Sequence, residues 1–132
     1  MAVEFSNNAV KWTGVCGATS LATKQYNFVK LHTDGTVIIC AAATDVPVGV
    51  LQNAPGIGEE AEVLIVGGTK IEIGGAINEG EVIGTDSAGL ADTKVPGTDT
   101  TNYIVGQAIT AGTAANQIIT AVVNCAAPAR AA

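Results

Sequence analysis

His32 is the only histidine in the 132 residues, so a Ser-His-Asp relay, a Cys-His pair or a histidine metal site would have to be built on it alone. It stands immediately before Thr33-Asp34-Gly35, a turn signal, and is expected as an exposed hairpin residue rather than a base. Glu59, Glu60 and Glu62 form the densest carboxylate group, with Glu72, Glu79 and Glu81 further along. A calcium or magnesium ion needs about six or more oxygens around one point, and no Asp-x-Asp-x-Asp-Gly loop surrounds these residues. They read as a solvated strand entrance. The pieces Val66-Gly-Gly-Thr-Lys70 and Ile73-Gly-Gly-Ala76 lack the spacing and the following helix of a phosphate-binding loop, so turns or bulges are expected there. Lys70 lacks the acidic or methionine neighbours of a lipoyl- or biotin-carrying lysine and is expected as a salt-bridging strand residue. The five aromatics, Phe5, Trp12, Tyr26, Phe28 and Tyr103, are too scattered for a single-strand nucleic-acid platform. These residues point to a chain that is not an enzyme, with no catalytic residue, cofactor or metal.

Composition agrees with a scaffold. Twelve Asp and Glu against six Lys and Arg give a net charge of −6 with no basic cluster, which argues against nucleic acid and anionic lipid as partners. Cys16, Cys40 and Cys125 are odd in number, far apart and set in apolar or Gly/Ala surroundings. That excludes a disulfide framework and a CxxC motif, and predicts buried free thiols. No basic stretch followed by an apolar one opens the chain, and its longest apolar run, Val37 to Ala43, is far short of the roughly 20 residues of a membrane span. A soluble protein of a reducing cytosol is expected.

The elements that must position these residues are strands. Fifteen Val and 12 Ile stand against 5 Leu, and 16 Gly with 4 Pro punctuate short apolar runs, as expected of an all-β domain. Tyr26 to Thr33 alternates and is followed by Asp34-Gly35 and the run Thr36 to Ala42, which predicts a hairpin with a two-residue type I′ turn. Further strands are expected at Val48 to Leu51, Ala61 to Val66, Lys70 to Ile73, Glu81 to Thr85, Tyr103 to Ile109 and Gln117 to Val123. Asp86-Ser-Ala-Gly89 reads as a second turn and Ala91 to Thr101 as a long exposed loop. Val48-Gly-Val-Leu, a loop and Val63 to Val66 are echoed 57 residues later by Val105-Gly-Gln-Ala, a loop of the same length and Thr120 to Val123. The echo suggests one strand-loop-strand unit used twice in a compact antiparallel β-barrel or sandwich of short strands. Residues 1–20 are expected as an extended N-terminal arm, 21–124 as the β-domain and 125–132 as a fraying tail.

Tyr26-Asn-Phe-Val-Lys-Leu-His-Thr-Asp-Gly-Thr-Val, followed by Asp45-Val-Pro-Val-Gly-Val-Leu-Gln-Asn-Ala-Pro55, resembles the capsid cement (head decoration) proteins of tailed bacteriophages. Gly58-Glu59, Val63 to Val66, Gly67 to Lys70, Gly75-Ala-Ile77 and Asp86 to Gly89 look like the steps that follow in that family, so the likeness covers roughly residues 20–123. The resemblance implies a structural virion protein. It would be assembled in the host cytoplasm, bind the outer surface of the phage head and stabilise it by bridging major capsid subunits, with itself as a homotrimer and the major capsid protein as partners. Alternatives are another phage structural subunit, of a tail or fibre base, or a small ligand-binding β-barrel. Phe5 and Trp12 are the candidate contacts to capsid or subunit, Trp12 because an isolated tryptophan outside any strand alternation suits an interface anchor.

Overall fold

The structure, a computed structural model, describes residues 9–132. Among them the chain forms eleven β-strands and no helix. These are β1 (Val10–Val15), β2 (Phe28–Leu31), β3 (Val37–Ile39), β4 (Gly49–Leu51), β5 (Glu60–Glu72) and β6 (Val82–Thr85). The remainder are β7 (Ala91–Thr93), β8 (Tyr103–Ile104), β9 (Gly106–Ala108), β10 (Ile118–Asn124) and β11 (Ala129–Arg130). The all-β expectation holds. Nine strands make one antiparallel sheet in the order β3-β2-β4-β5-β10-β9-β6-β7, with β1 also on β5, while β8 and β11 pair separately.

Two parallel bridges curl this sheet on itself. Cys16 meets Val37, with the Gly17 N–H donating to the Val37 carbonyl at 3.0 Å, which joins β1, β5, β4, β2 and β3 into a first ring. Ile73 meets Ala91, with the Gly74 N–H donating to the Ala91 carbonyl at 2.9 Å, and this joins β5, β10, β9, β6 and β7 into a second. The thirteen-residue β5 serves both rings: its residues 60–66 pair with β1 and its residues 66–72 with β10. Two separate strands around Gly67-Gly68 were expected. Instead the pair is held in the ladder opposite Val123 and Val122, and those bonds override its turn preference.

Strand alternation then divides the side chains between two cores. Ala61, Val63, Leu51, Val29 and Val37 fill the first, together with Cys16 and Leu21. Their strand neighbours Leu64, Val50 and Phe28 face the other way, into the larger core with Ile71, Ile73, Ile83 and Val123. All three residues of β4 are therefore buried, which explains why Gly49-Val-Leu shows no polar alternation. Asn27, also buried, donates from Nδ2 to Glu72 Oε1 at 2.9 Å, and Asn116 donates to the other oxygen at 2.9 Å, so one carboxylate ties both rings to the end of β5.

The echo in the sequence is a duplication in space. Val29 pairs Ile39 in the first ring and Ile83 pairs Thr93 in the second (29 to 83 and 39 to 93, a step of 54). Phe28 opposite Val50 recurs as Val82 opposite Gln107 (28 to 82, a step of 54; 50 to 107, a step of 57). The ring-closing bridges obey the same steps, Cys16 becoming Ile73 and Val37 becoming Ala91. Left-handed backbone positions recur as well: Tyr26 (φ 68) with Gly80 (φ 82), Gly35 (φ 84) with Gly89 (φ 80), and Gly58 (φ 76) with Asn116 (φ 68).

Several expectations are corrected. Residues 10–16 are not an extended arm: β1 pairs along β5 from Val66 to Glu60, and Gly14 and Cys16 are buried, because the first ring cannot close without this strand. The tail does not fray. β11 pairs with β8, and Ala131 is fully buried with its N–H donating to the Asn102 carbonyl at 3.0 Å. The expected loop Ala91 to Thr101 begins as β7 and contains the buried Lys94. At the first hairpin only Gly35 takes positive φ, and the His32 N–H donates to the Thr36 carbonyl at 2.8 Å across a longer turn. Asp34 accounts for the difference: its Oδ1 accepts from the Thr36 hydroxyl at 2.6 Å and the Thr36 N–H at 3.0 Å, so its side chain bonds beyond the turn instead of its backbone turning left-handed.

Candidate interaction surface

Exposed apolar side chains lie on the outer face of the second ring, among them Ile109, Ile118 and Val122. Along β10, Ile119, Ala121 and Val123 point into the core, while Ile118, Thr120, Val122 and Asn124 point out. Cross-strand pairing sets beside them Glu72, Lys70, Gly68 and Val66 of β5 and Gln107 of β9, with Val10 of β1 opposite Val66. Ile118 is 48% exposed and Val10 53%, high for large aliphatics on a sheet. Two shallow grooves flank β10. One runs between Lys70, Glu79, Ile109, Ile118 and Thr120. The other lies over Val66, Ile104, Gln107, Val122 and Ala129. Among the described residues, the charged ones lining this face are Lys70, Glu79 and the already engaged Glu72.

Among the described residues Lys70 makes no salt bridge of the kind expected; its Nζ lies 6.0 Å from the centre of the Tyr26 ring, a cation-π contact at the long limit of that interaction. Tyr26 holds its left-handed backbone because its N–H donates to Leu51 and its carbonyl accepts from Glu72, at 2.7 and 3.0 Å. Such a conformation costs a side-chain-bearing residue about 1–2 kcal/mol, offset here by ladder bonds.

Trp12 lies apart from this face. It pairs with Val63, so its ring lies on the inner side of β1, folded across Gly14, where an added Cβ would come within 2.6 Å of it. It covers the end of the first core while remaining 37% exposed. Phe5 lies outside the described residues.

The other candidate residues do not converge. His32 is exposed on the hairpin with Nδ1 3.1 Å from Asp34 Oδ1. Glu59 accepts the Gly56 N–H at 2.6 Å as a turn cap, and Glu60 and Glu62 are exposed. Among the described residues no three His, Cys, Asp or Glu side chains gather as metal ligands would. All three cysteines are free and buried. Burial pushes the Cys40 thiol up to about 12, with the neighbouring Asp45 carboxylate adding to it, and burial alone pushes Cys125 to about 12. Both stay protonated and unreactive at neutral pH.

The outer face of β10 was not identified from the sequence. Its signal was there in Ile118-Ile-Thr-Ala-Val-Val123, a strand apolar on both faces although only one meets the core.

No protein family and no curated protein sequence matches the chain. Among solved structures, it is similar to the head fiber gp8.5 N base of bacteriophage phi29, with a TM-score of 0.61 over 88% of this chain and 94% of that one. Identity is 20%, so the likeness establishes a shared fold that takes in nearly the whole of both chains.

Proposed function

We propose that this chain is a structural, non-catalytic protein of a tailed-bacteriophage virion, seated on the outer surface of the head as a homotrimer that bridges major capsid subunits. The observation that carries the reading is the near end-to-end match to a head fibre base. The cement-like string Val48-Gly-Val-Leu-Gln-Asn-Ala-Pro55 points the same way, since it builds β4, the strand shared between the two cores. A protein that resists pressure on a shell needs rigid elements and apolar contact area. Two closed rings on one strand supply the first. The outer face of β10 supplies the second, and Trp12, with Phe5 before it, offers a further anchor.

A second reading, the base of a head fibre, is favoured by what the similar structure is. Both readings put the chain on the head exterior and differ in whether a fibre projects from it.

The test is sedimentation with heads that lack the protein, comparing wild type with an Ile118→Asp/Val122→Asp variant. Both side chains point outward and are partly exposed, so the variant should keep the fold, which circular dichroism checks. Wild type should pellet with heads, and loss of two anchors worth about 2 kcal/mol each should weaken binding by about 700-fold. Wild-type protein that stays in the supernatant with intact heads would overturn the proposal.

A further inference from the structure

Lys94 is the one lysine that the fold buries. Its side chain is 1% exposed, and its stem lies over Gly84, where an added Cβ would come within 3.0 Å of Cε. The ammonium-bearing nitrogen reaches two side chains: Asn102 Oδ1 at 2.9 Å and Asp92 Oδ2 at 3.4 Å. Lys30 shows what an ordinary lysine pair looks like in the same protein, 28% exposed and 2.8 Å from Asp45. At Lys94 the carboxylate is the longer contact and is itself half exposed, while the neutral amide is the closer partner.

We propose that Lys94 and Asn102 join in an intramolecular isopeptide bond, with Asp92 carrying the protons. Nζ lies beside the carbonyl oxygen of the Asn102 amide, and the carbon it would attack is bonded to that oxygen. A proton moves from Nζ to the Asp92 carboxylate, which frees the lone pair, and Nζ adds to Cγ of Asn102. The Cγ–Nδ2 bond then breaks. The amine loses two protons in becoming a secondary amide, and both end on the leaving nitrogen, which departs as ammonium. Atoms and charge balance without an oxidant or other co-reactant. The fold contributes proximity, since holding an amine against an amide in a water-poor site replaces an improbable encounter by a unimolecular step. The product also replaces a buried cation with a neutral group, removing the cost of keeping that charge from water.

The bond would lock a specific part of the molecule. Asn102 accepts the Ala131 N–H at 3.0 Å through its backbone carbonyl, and the Gly97 N–H donates to the Ala131 carbonyl at 2.8 Å. Residues 94–102 thus form the seat of the C-terminal strand, and the isopeptide would join the two ends of that seat into a closed loop directly after β7.

Intact-mass spectrometry of the purified full chain, aged at mildly alkaline pH, tests this. The expected mass is the sequence mass less one ammonia, and trypsin should fail to cut after Lys94, leaving the stretch from Ile71 to Arg130 unbroken. Lys94→Arg and Asn102→Ala should keep the full mass. Asp92→Asn, at a half-exposed position that does not decide folding, should slow bond formation by about a hundredfold or more. A succinimide would also lose ammonia but would leave Lys94 cleavable, and that result overturns the proposal. So does folded wild-type protein that retains the full mass, or an Asp92→Asn variant that closes at the wild-type rate.

Discussion

Gly49 in β4 and Gly106 in β9 occupy equivalent places in the two rings, each where a short strand crosses close to the neighbouring long one (49 to 106, a step of 57). An alanine Cβ at Gly49 would run into the Leu64 carbonyl and come within 2.5 Å of Val63 Cγ1. At Gly106 it would stand 2.6 Å from the Val122 carbonyl and 3.0 Å from Val123 Cγ1. Side-chain tips can rotate away, but a carbonyl fixed in a ladder moves only with its strand, so each cost should lie near the top of the overpacking range, about 3 kcal/mol. Gly75 is the control, because nothing lies within 4 Å of an added Cβ and its φ is not positive; alanine there should change stability by less than about 0.5 kcal/mol. Urea unfolding followed by far-UV circular dichroism reads the difference. With a slope of about 2 kcal/mol/M, Gly49→Ala and Gly106→Ala should each lower the midpoint by about 1.5 M at unchanged slope. Variants that unfold with the Gly75→Ala protein would refute the close crossings. A loss at only one site would refute the equivalence of the rings.

Phe28→Ala should cost about 3–5 kcal/mol, whereas Leu31→Ala, on the same strand but 49% exposed, should cost under about 1 kcal/mol; paired denaturation curves check both. Asp45→Ala should cost about 1–3 kcal/mol, because one oxygen accepts from Lys30 Nζ at 2.8 Å and from the Ala41 and Ala42 N–H groups at 2.8 and 3.0 Å. Burial pushes the Asp45 carboxyl up, but these donors outweigh it and hold it below its ordinary 3.8. Its contribution is therefore present at neutral pH and lost as pH falls through the acid range, and the variant should show a flatter acid limb of stability. Cys40 and Cys125 give the opposite limb. Their thiols are raised from 9.0 to about 12, so the stability they contribute is complete below pH 9 and lost as pH rises toward 12. A Cys40→Ala/Cys125→Ala protein should lose less of its own stability over that window, and neither native thiol should react with a thiol probe at neutral pH.

The all-β class was legible because β-branched residues outnumber leucine and because Asp34-Gly35 and Asp86 to Gly89 mark turns whose glycines do take positive φ. The duplication was legible from a string that returns after 57 residues. Local sequence carries no signal where long-range pairing decides the outcome. Val10–Val15 has no clear alternation because one side faces a core end closed by its own Trp12 and the other lies beside a strand bearing Glu60 and Glu62. Gly67-Gly68 resembles a turn locally, and only its partners Val123 and Val122 keep it extended. The tail Ala-Pro-Ala-Arg-Ala-Ala carries no strand signal, yet Arg130 pairs with Tyr103 and lies 5.6 Å from its ring. The Lys94, Asn102 and Asp92 constellation was missed for the same reason. Nothing in an expected polar loop indicates that its lysine is buried.

Cryo-electron microscopy of heads incubated with the purified protein tests the central proposal most directly. Trimeric density, with two similar lobes per copy, is expected at regular positions on the outer shell where capsid subunits meet. Heads that remain bare under saturating protein, or density confined to the tail, would contradict it.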